Sequence, residues 1–216
     1  MFVLKKISDP GTKQAQHYPF DPKTERHYRK IIGSLVPPGP AGGAVVVCGL
    51  QYSWRPPAAI FLLDEFLSSQ PESLIQRAIE SRENFKCEEV YTFNDGNFLR
   101  YMTTRNAQQR DKKGAELHLL QAPNADTDNI SYHVHLLINL LSSGGKRLVL
   151  GDSGNIHAAL QATPQSEISG ASARQHSLVA ALGYAVSALE VYCSDYGFQG
   201  NRPKARTDYD VVNYIP

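Results

Sequence analysis

At 216 residues the chain is long enough for one substantial core, or for one domain with an appendage, and its 42% hydrophobic and 20% charged content is that of an ordinary globular protein. A formal charge of +1, from 22 basic and 21 acidic residues, excludes a global electrostatic pull toward nucleic acid, so any such contact must be local or supplied by a partner. The longest apolar runs, such as Leu136 to Leu141, are too short to cross a bilayer, and no signal-like apolar core precedes Asp9-Pro10, so the expectation is a cytoplasmic protein with no membrane partner.

In chain order, Met1 to Ile7 reads as a short edge strand, broken by Asp9-Pro10-Gly11. Thr24 can cap a helix running to Ile32, and Val36-Pro37-Pro38-Gly39-Pro40-Ala41-Gly42-Gly43 has the composition of a linker. Residues 1–43 are therefore expected to be an N-terminal extension. The unbroken β-branched run Val45-Val46-Val47 predicts a strand covered on both faces, with Ala58 to Leu63 pairing back on it antiparallel. Pro56 and Pro57 belong to the connecting turn, and Asp64-Glu65 closes the second strand.

A helix is expected from Pro71, with Leu74, Ile75, Ala78 and Ile79 on one face. Cys87 to Phe93 then reads as a strand ending in Asn94-Asp95-Gly96-Asn97. That ending is good turn chemistry, and it is also where open α/β sheets assemble a site. A helix over Phe98 to Gln109, a charged turn from Arg110 to Gly114 and a short strand over Ala115 to Leu120 follow. Asp126 to Asn129 offers cap chemistry for a helix carrying Ile130, Val134, Leu137 and Leu141. Lys146 to Leu150 is a further strand, Ile156 to Ala162 a short helix, and Arg174 to Cys193 a final helix rich in small residues. The tail from Ser194 to Pro216 shows a strand-like pattern over Tyr209 to Ile215 alone.

The cysteines at 48, 87 and 193 stand singly, without metal-ligand spacing, and read as buried thiols. Gly151-Asp152-Ser153-Gly154 lacks the spacing of a nucleophile elbow, and no P-loop occurs, so a packaging-type ATPase would be another chain or domain. His118, His133 and His135 show no metal-site spacing.

This order of elements resembles the RNase H-like nuclease domain of phage and viral terminase large subunits, which cut and package concatemeric genomes. Three places carry it: Ala44-Val45-Val46-Val47-Cys48-Gly49, like the family's first strand; Val90 to Asn97, like its strand ending in an acidic residue; and Gln175 to Ala185, like its late His-Asp-Asp and Val-Asp-Ala-Leu-Ala segment. The resemblance implies an α/β, RNase H-like mixed central sheet flanked by helices over residues 44–193, with 194–216 as a C-terminal tail. It also implies departures. The family's first aspartate falls on Cys48 and its late aspartates on Ser177 and Ala180, which leaves Asp95 as the catalytic and metal-binding candidate.

Two-metal phosphodiester cleavage needs several carboxylates holding Mg²⁺ or Mn²⁺ ions about 3.5–4 Å apart. Asp64, Glu65 and Asp152 are possible replacement ligands, with His176 a further candidate, and Arg100, Arg105, Arg110, Lys112 and Lys113 are candidate phosphate contacts beside the Asp95 turn. The reading is a degenerate terminase-nuclease-like domain, a pseudonuclease with weak or no cleavage associated with DNA packaging and kept for binding, with double-stranded DNA or a packaging ATPase or portal component as partner. One alternative is an active Mg- or Mn-dependent endonuclease with a rebuilt site. Another is an RNase H-fold scaffold unrelated to packaging.

Overall fold

The computed structural model describes residues 1–8, 15–52, 59–112, 114–125, 130–142, 147–163 and 173–197. The strands are β1 (Val3–Ser8), β2 (Ala15–Asp21), β3 (Arg26–Gly39), β4 (Gly42–Gln51), β5 (Ile60–Ser68), β6 (Glu89–Thr92), β7 (Leu119–Gln121) and β8 (Leu148–Val149). The helices are α1 (Pro71–Phe85), α2 (Gly96–Gln108), α3 (Ser131–Ser142), α4 (Gly154–Ala162) and α5 (Ser177–Gly197).

β3 is the centre of the sheet. It pairs antiparallel with β4 along its length, parallel with β6 over Ile32–Ser34, and antiparallel with β2 at Arg26 and His27. The main body therefore reads β7-β6-β3-β4-β5-β8, with the β1–β2 hairpin continuing from the first residues of β3. β4 runs against its neighbours; β3, β5, β6, β7 and β8 run together, so their carboxyl ends open on one edge. This is the mixed central sheet flanked by helices that the sequence predicts, and it is consistent with an RNase H-like arrangement.

Two expectations are corrected by β3. The helix over Thr24–Ile32 is instead a turn followed by strand. Asp21 accepts hydrogen bonds from the Lys23 amide at 3.0 Å and the Thr24 hydroxyl at 2.7 Å, and Glu25 takes the left-handed conformation at φ 55°. Ile31 and Ile32 are both buried, one toward α1 and the other toward α5, which is the two-residue period of a strand covered on both faces. The expected linker is likewise strand. A register shift between Val36 and Gly39 places Pro37 and Pro38 on a bulge, where no ladder N–H is needed, so a proline pair can end a central strand.

Other differences are of length. β5 continues to Ser68 rather than stopping at Glu65. β7 is shorter than expected because the preceding backbone is held by side chains: Asn106 bonds both the N–H and the carbonyl of Leu117, and Arg105 bonds the Ala115 carbonyl. The 53–58 turn, the 126–129 cap, the 164–172 loop and the tail with its strand-like stretch at 209–215 lie outside the described residues.

The sheet has one apolar layer on each side. On one face α5 lies along β3 and β4, with α3 and α4 beside it. Ala180, Ala181, Ala185 and Ala188 are no more than 2% exposed, and these small residues let the helix approach the strands closely. On the other face α1 and α2 bury Leu74, Ile75, Ala78, Phe98 and Met102 against Ile31, Leu35, Val45 and Val47.

Candidate functional site

The parallel strands β3 and β6 bring their carboxyl ends side by side, and Asp95 sits in the turn just beyond β6. Its backbone is folded back, the Asp95 amide donating to the Phe93 carbonyl at 2.9 Å. Oδ1 accepts from the amides of Asn97 at 3.1 Å and Phe98 at 3.2 Å, the N-cap of α2. Oδ2 accepts from Nη2 of Arg174 at 2.5 Å, a short charge-assisted contact. Asp95 is 7% exposed and Arg174 44%, so a buried carboxylate meets a cation reaching in from the rim.

Arg174 is itself lodged against Gly39 at the end of β3. A Cβ at that glycine would come within 2.6 Å of the Arg174 Cβ and 2.7 Å of its carbonyl oxygen. The structure thus brings together Asp95, Arg174 and Gly39, of which sequence reasoning names the first as a site residue. Arg174, expected to open the final helix, precedes it, since α5 begins at Ser177. Its partner is 79 positions away, and no local signal marks the pair.

The other candidates lie elsewhere. Asp64 faces α1 and is held by Arg77 through two bonds, at 2.7 and 3.0 Å. Glu65 pairs with Val46 in β5, separated from β6 by β4 and β3, which is roughly 14 Å at normal strand spacing. Asp152 follows β8, one strand further out, and is exposed. None of the three shares a site with Asp95.

Cys48 pairs with Ile32, which is level with Glu89 across β3, whereas Asp95 comes six residues after Glu89. The two are therefore roughly 15–20 Å apart along the strands. The strand beside β6 is β3, not β4, and the polar side chain nearest that register is Ser34, whose hydroxyl donates to the Ala181 carbonyl of α5 at 2.6 Å. Cys48 is fully buried, and burial raises its thiol far above the ordinary range; burial likewise raises Cys87 to about 12. Neither is a nucleophile in this state.

Ser177 and Ala180 are buried in the first turn of α5, and the Nδ1 of His176 is 3.3 Å from the Thr163 hydroxyl. Among the basic candidates, Arg105 is 8% exposed and tied to Glu72 at 2.9 Å and to the Ala115 carbonyl at 2.8 Å, so it joins α2 to α1 rather than meeting a phosphate. Its place is legible in the chain: Phe98, Met102 and Arg105 fall on one helical stripe. Arg100, Arg110 and Lys112 are exposed, and Lys113 lies outside the described residues.

Mg²⁺ or Mn²⁺ needs hard oxygen ligands in convergent sets. Among the described residues no group of three His, Cys, Asp or Glu side chains comes close enough to hold a metal ion, and Asp95 already has three hydrogen bonds. The described residues do not fit a two-metal centre. Among the described residues, no helix is long and apolar enough to cross a membrane.

No protein-family model matches this chain, and no curated protein matches it. Among solved structures, the Mn-bound nuclease domain of the g2p large terminase of bacteriophage SPP1 is similar, with 12% sequence identity, a TM-score of 0.47, and coverage of 76% of this chain and 88% of that one.

Proposed function

We propose that the chain is a terminase-nuclease-type domain that has lost cleavage and works by binding, to double-stranded DNA or to a packaging ATPase or portal component, in the cytoplasm of a phage host. The packaging assignment comes from the sequence resemblance. The loss of cleavage is carried by one observation: both carboxylate oxygens of Asp95 are committed, one to the α2 cap and the other to Arg174. A fixed guanidinium at that carboxylate supplies the positive charge that a divalent ion would bring, and its planar geometry cannot polarise a phosphodiester as a clamped metal pair does. Exposed Arg100 and Lys112 remain as local phosphate contacts.

One observation favours the active alternative. Glu65 Oε2 is buried with no hydrogen-bond partner among the described residues, on the strand beside β8, and the Ser153 hydroxyl beyond β8 is likewise buried and unpartnered among them.

Plasmid cleavage in Mg²⁺ and then Mn²⁺, with a chelator control and the Asp95→Asn and Glu65→Gln variants, tests both readings. The proposal expects no cutting under any condition. Chelator-sensitive cutting lost in Asp95→Asn contradicts it, and cutting lost in Glu65→Gln alone moves the site to β5.

A further inference from the structure

On the α1 face of the sheet, beside the β2–β3 turn, a hollow of about 550 Å³ opens over β5 and β8. Leu148 of the edge strand β8 is buried in the α5-side core, so Val149 faces the other way and shares the floor with Phe61 and Leu63. All three are partly exposed, because α1 lies along β3, β4 and β5 and leaves this corner open. Asn84 and Phe85, in the last turn of α1, close one side.

Among the described residues three cations line this hollow, and two of them are compensated. Arg77 is held by Asp64 through two hydrogen bonds. Lys23 shares the β2–β3 turn with Asp21, so their charges offset. Arg26 is the third. Asp21 is its direct cross-strand neighbour, an ordinary place for an ion pair, yet no salt bridge joins them. Both Asp21 oxygens are engaged, one by the Lys23 amide and the other by the Thr24 hydroxyl. Arg26 leans instead over the Phe61 ring, 4.5 Å from its centroid, on the α1 side of the sheet. The Tyr28 hydroxyl is within hydrogen-bonding reach of Arg26, which leaves most of the guanidinium donors without an acceptor among the described residues.

A half-buried guanidinium stacked on an aromatic ring and lacking an anion, beside an apolar floor in a hollow of small-ligand size, fits a carboxylate with an apolar body. One uncompensated charge favours a monoanion, and Asp21 at the rim disfavours a phosphate dianion. We propose that this hollow binds a small organic monocarboxylate, its carboxylate paired with Arg26 and its apolar body over Leu63 and Val149. The inference is independent of the reading of the Asp95 edge.

Titration of hydrocinnamate into the full chain, followed by backbone amide chemical shifts, tests it. Saturable shifts are expected at Phe61, Asn84 and Val149. Hydrocinnamyl alcohol, the same body without the charge, should bind about tenfold more weakly, as expected for loss of a charge-assisted hydrogen bond. Arg26→Gln should lower the carboxylate affinity by about the same factor and remove the difference between the two probes. Because Arg26 also meets Tyr28, Val149→Trp serves as the second variant: it fills the floor with Arg26 in place, and should abolish binding of both probes while keeping a cooperative thermal transition. Hydrocinnamyl phosphate should bind more weakly than the carboxylate, and Lys112→Gln, beyond the end of α2, should bind as the parent does. The proposal is overturned if hydrocinnamate gives no saturable shifts, if the shifts map away from the hollow, if both folded variants bind as the parent does, or if the phosphate binds more tightly than the carboxylate.

Discussion

The two faces of the sheet are joined by different means. On the α5 face the contact is mainly apolar, with alanines among its leucines and valines, a neutral buried hydrogen bond from Ser34 to the Ala181 carbonyl, and one charged reach, from Arg29 to the Tyr192 carbonyl at 3.4 Å. On the α1–α2 face, charged groups reach across: Arg77 to Asp64, Arg105 to Glu72, and Arg82 to a main-chain carbonyl. Close packing of small residues leaves no space for a larger side chain, whereas ion pairs with one exposed partner tolerate change. The same contrast shows where the acidic groups went. Asp64 and Asp95, two of the carboxylates that sequence reasoning offers to a metal, are instead partners of arginines that hold helices or loops in place.

The largest expected effect is at Gly183. A Cβ there would meet the Cβ of His133 at 2.5 Å, so α3 and α5 would have to separate. Gly183→Val should cost about 3 kcal/mol or more in urea unfolding, at the upper end for overpacked cores. A loss of a few tenths would mean that α5 and α3 are not in close contact at this point.

His133 sharpens the comparison through pH. It is fully buried beside Tyr184, its Nε2 is 3.0 Å from the Pro123 carbonyl, and burial lowers its pKa to about 4. The unfolded chain, near 6.5, takes up the proton first, so stability is intact above that value and falls as pH drops from about 6.5 to about 4. The loss reaches about 3 kcal/mol at the acid end. Unfolding curves of the parent and His133→Leu across this range should converge as the parent loses its advantage; parallel curves would contradict the buried neutral imidazole.

On the charged face the effects are smaller. Arg105→Met should cost about 1–2 kcal/mol, because it removes bonds to Glu72 and Ala115 while Glu72 remains solvated. Arg100→Ala, on the exposed side of the same helix, should change thermal stability by less than about 0.5 kcal/mol. Equal losses would remove the distinction between the two arginines.

Much of this architecture is legible in the chain. Val45 to Val47 declare a doubly covered strand, Pro71 and Glu72 declare the start of α1, and the spacing of Leu178, Leu182, Val186 and Leu189 declares α5. β3 is not legible. Its charged first half imitates a solvated helix and its proline pair imitates a linker, and only the paired burial of Ile31 and Ile32, together with the bulge at Val36, makes it the central strand. The Asp95 turn can be read locally because Asx capping is a short-range signal. Arg174, Gly39 and the distance from Asp95 to Cys48 cannot, since each depends on strand order.

The central claim, that Arg174 holds the place a divalent ion would need at Asp95, is tested most directly by titrating Mn²⁺ into the parent protein and Asp95→Asn under calorimetry. The account predicts no saturable binding in either protein at millimolar Mn²⁺. A micromolar site in the parent that vanishes in Asp95→Asn would contradict it.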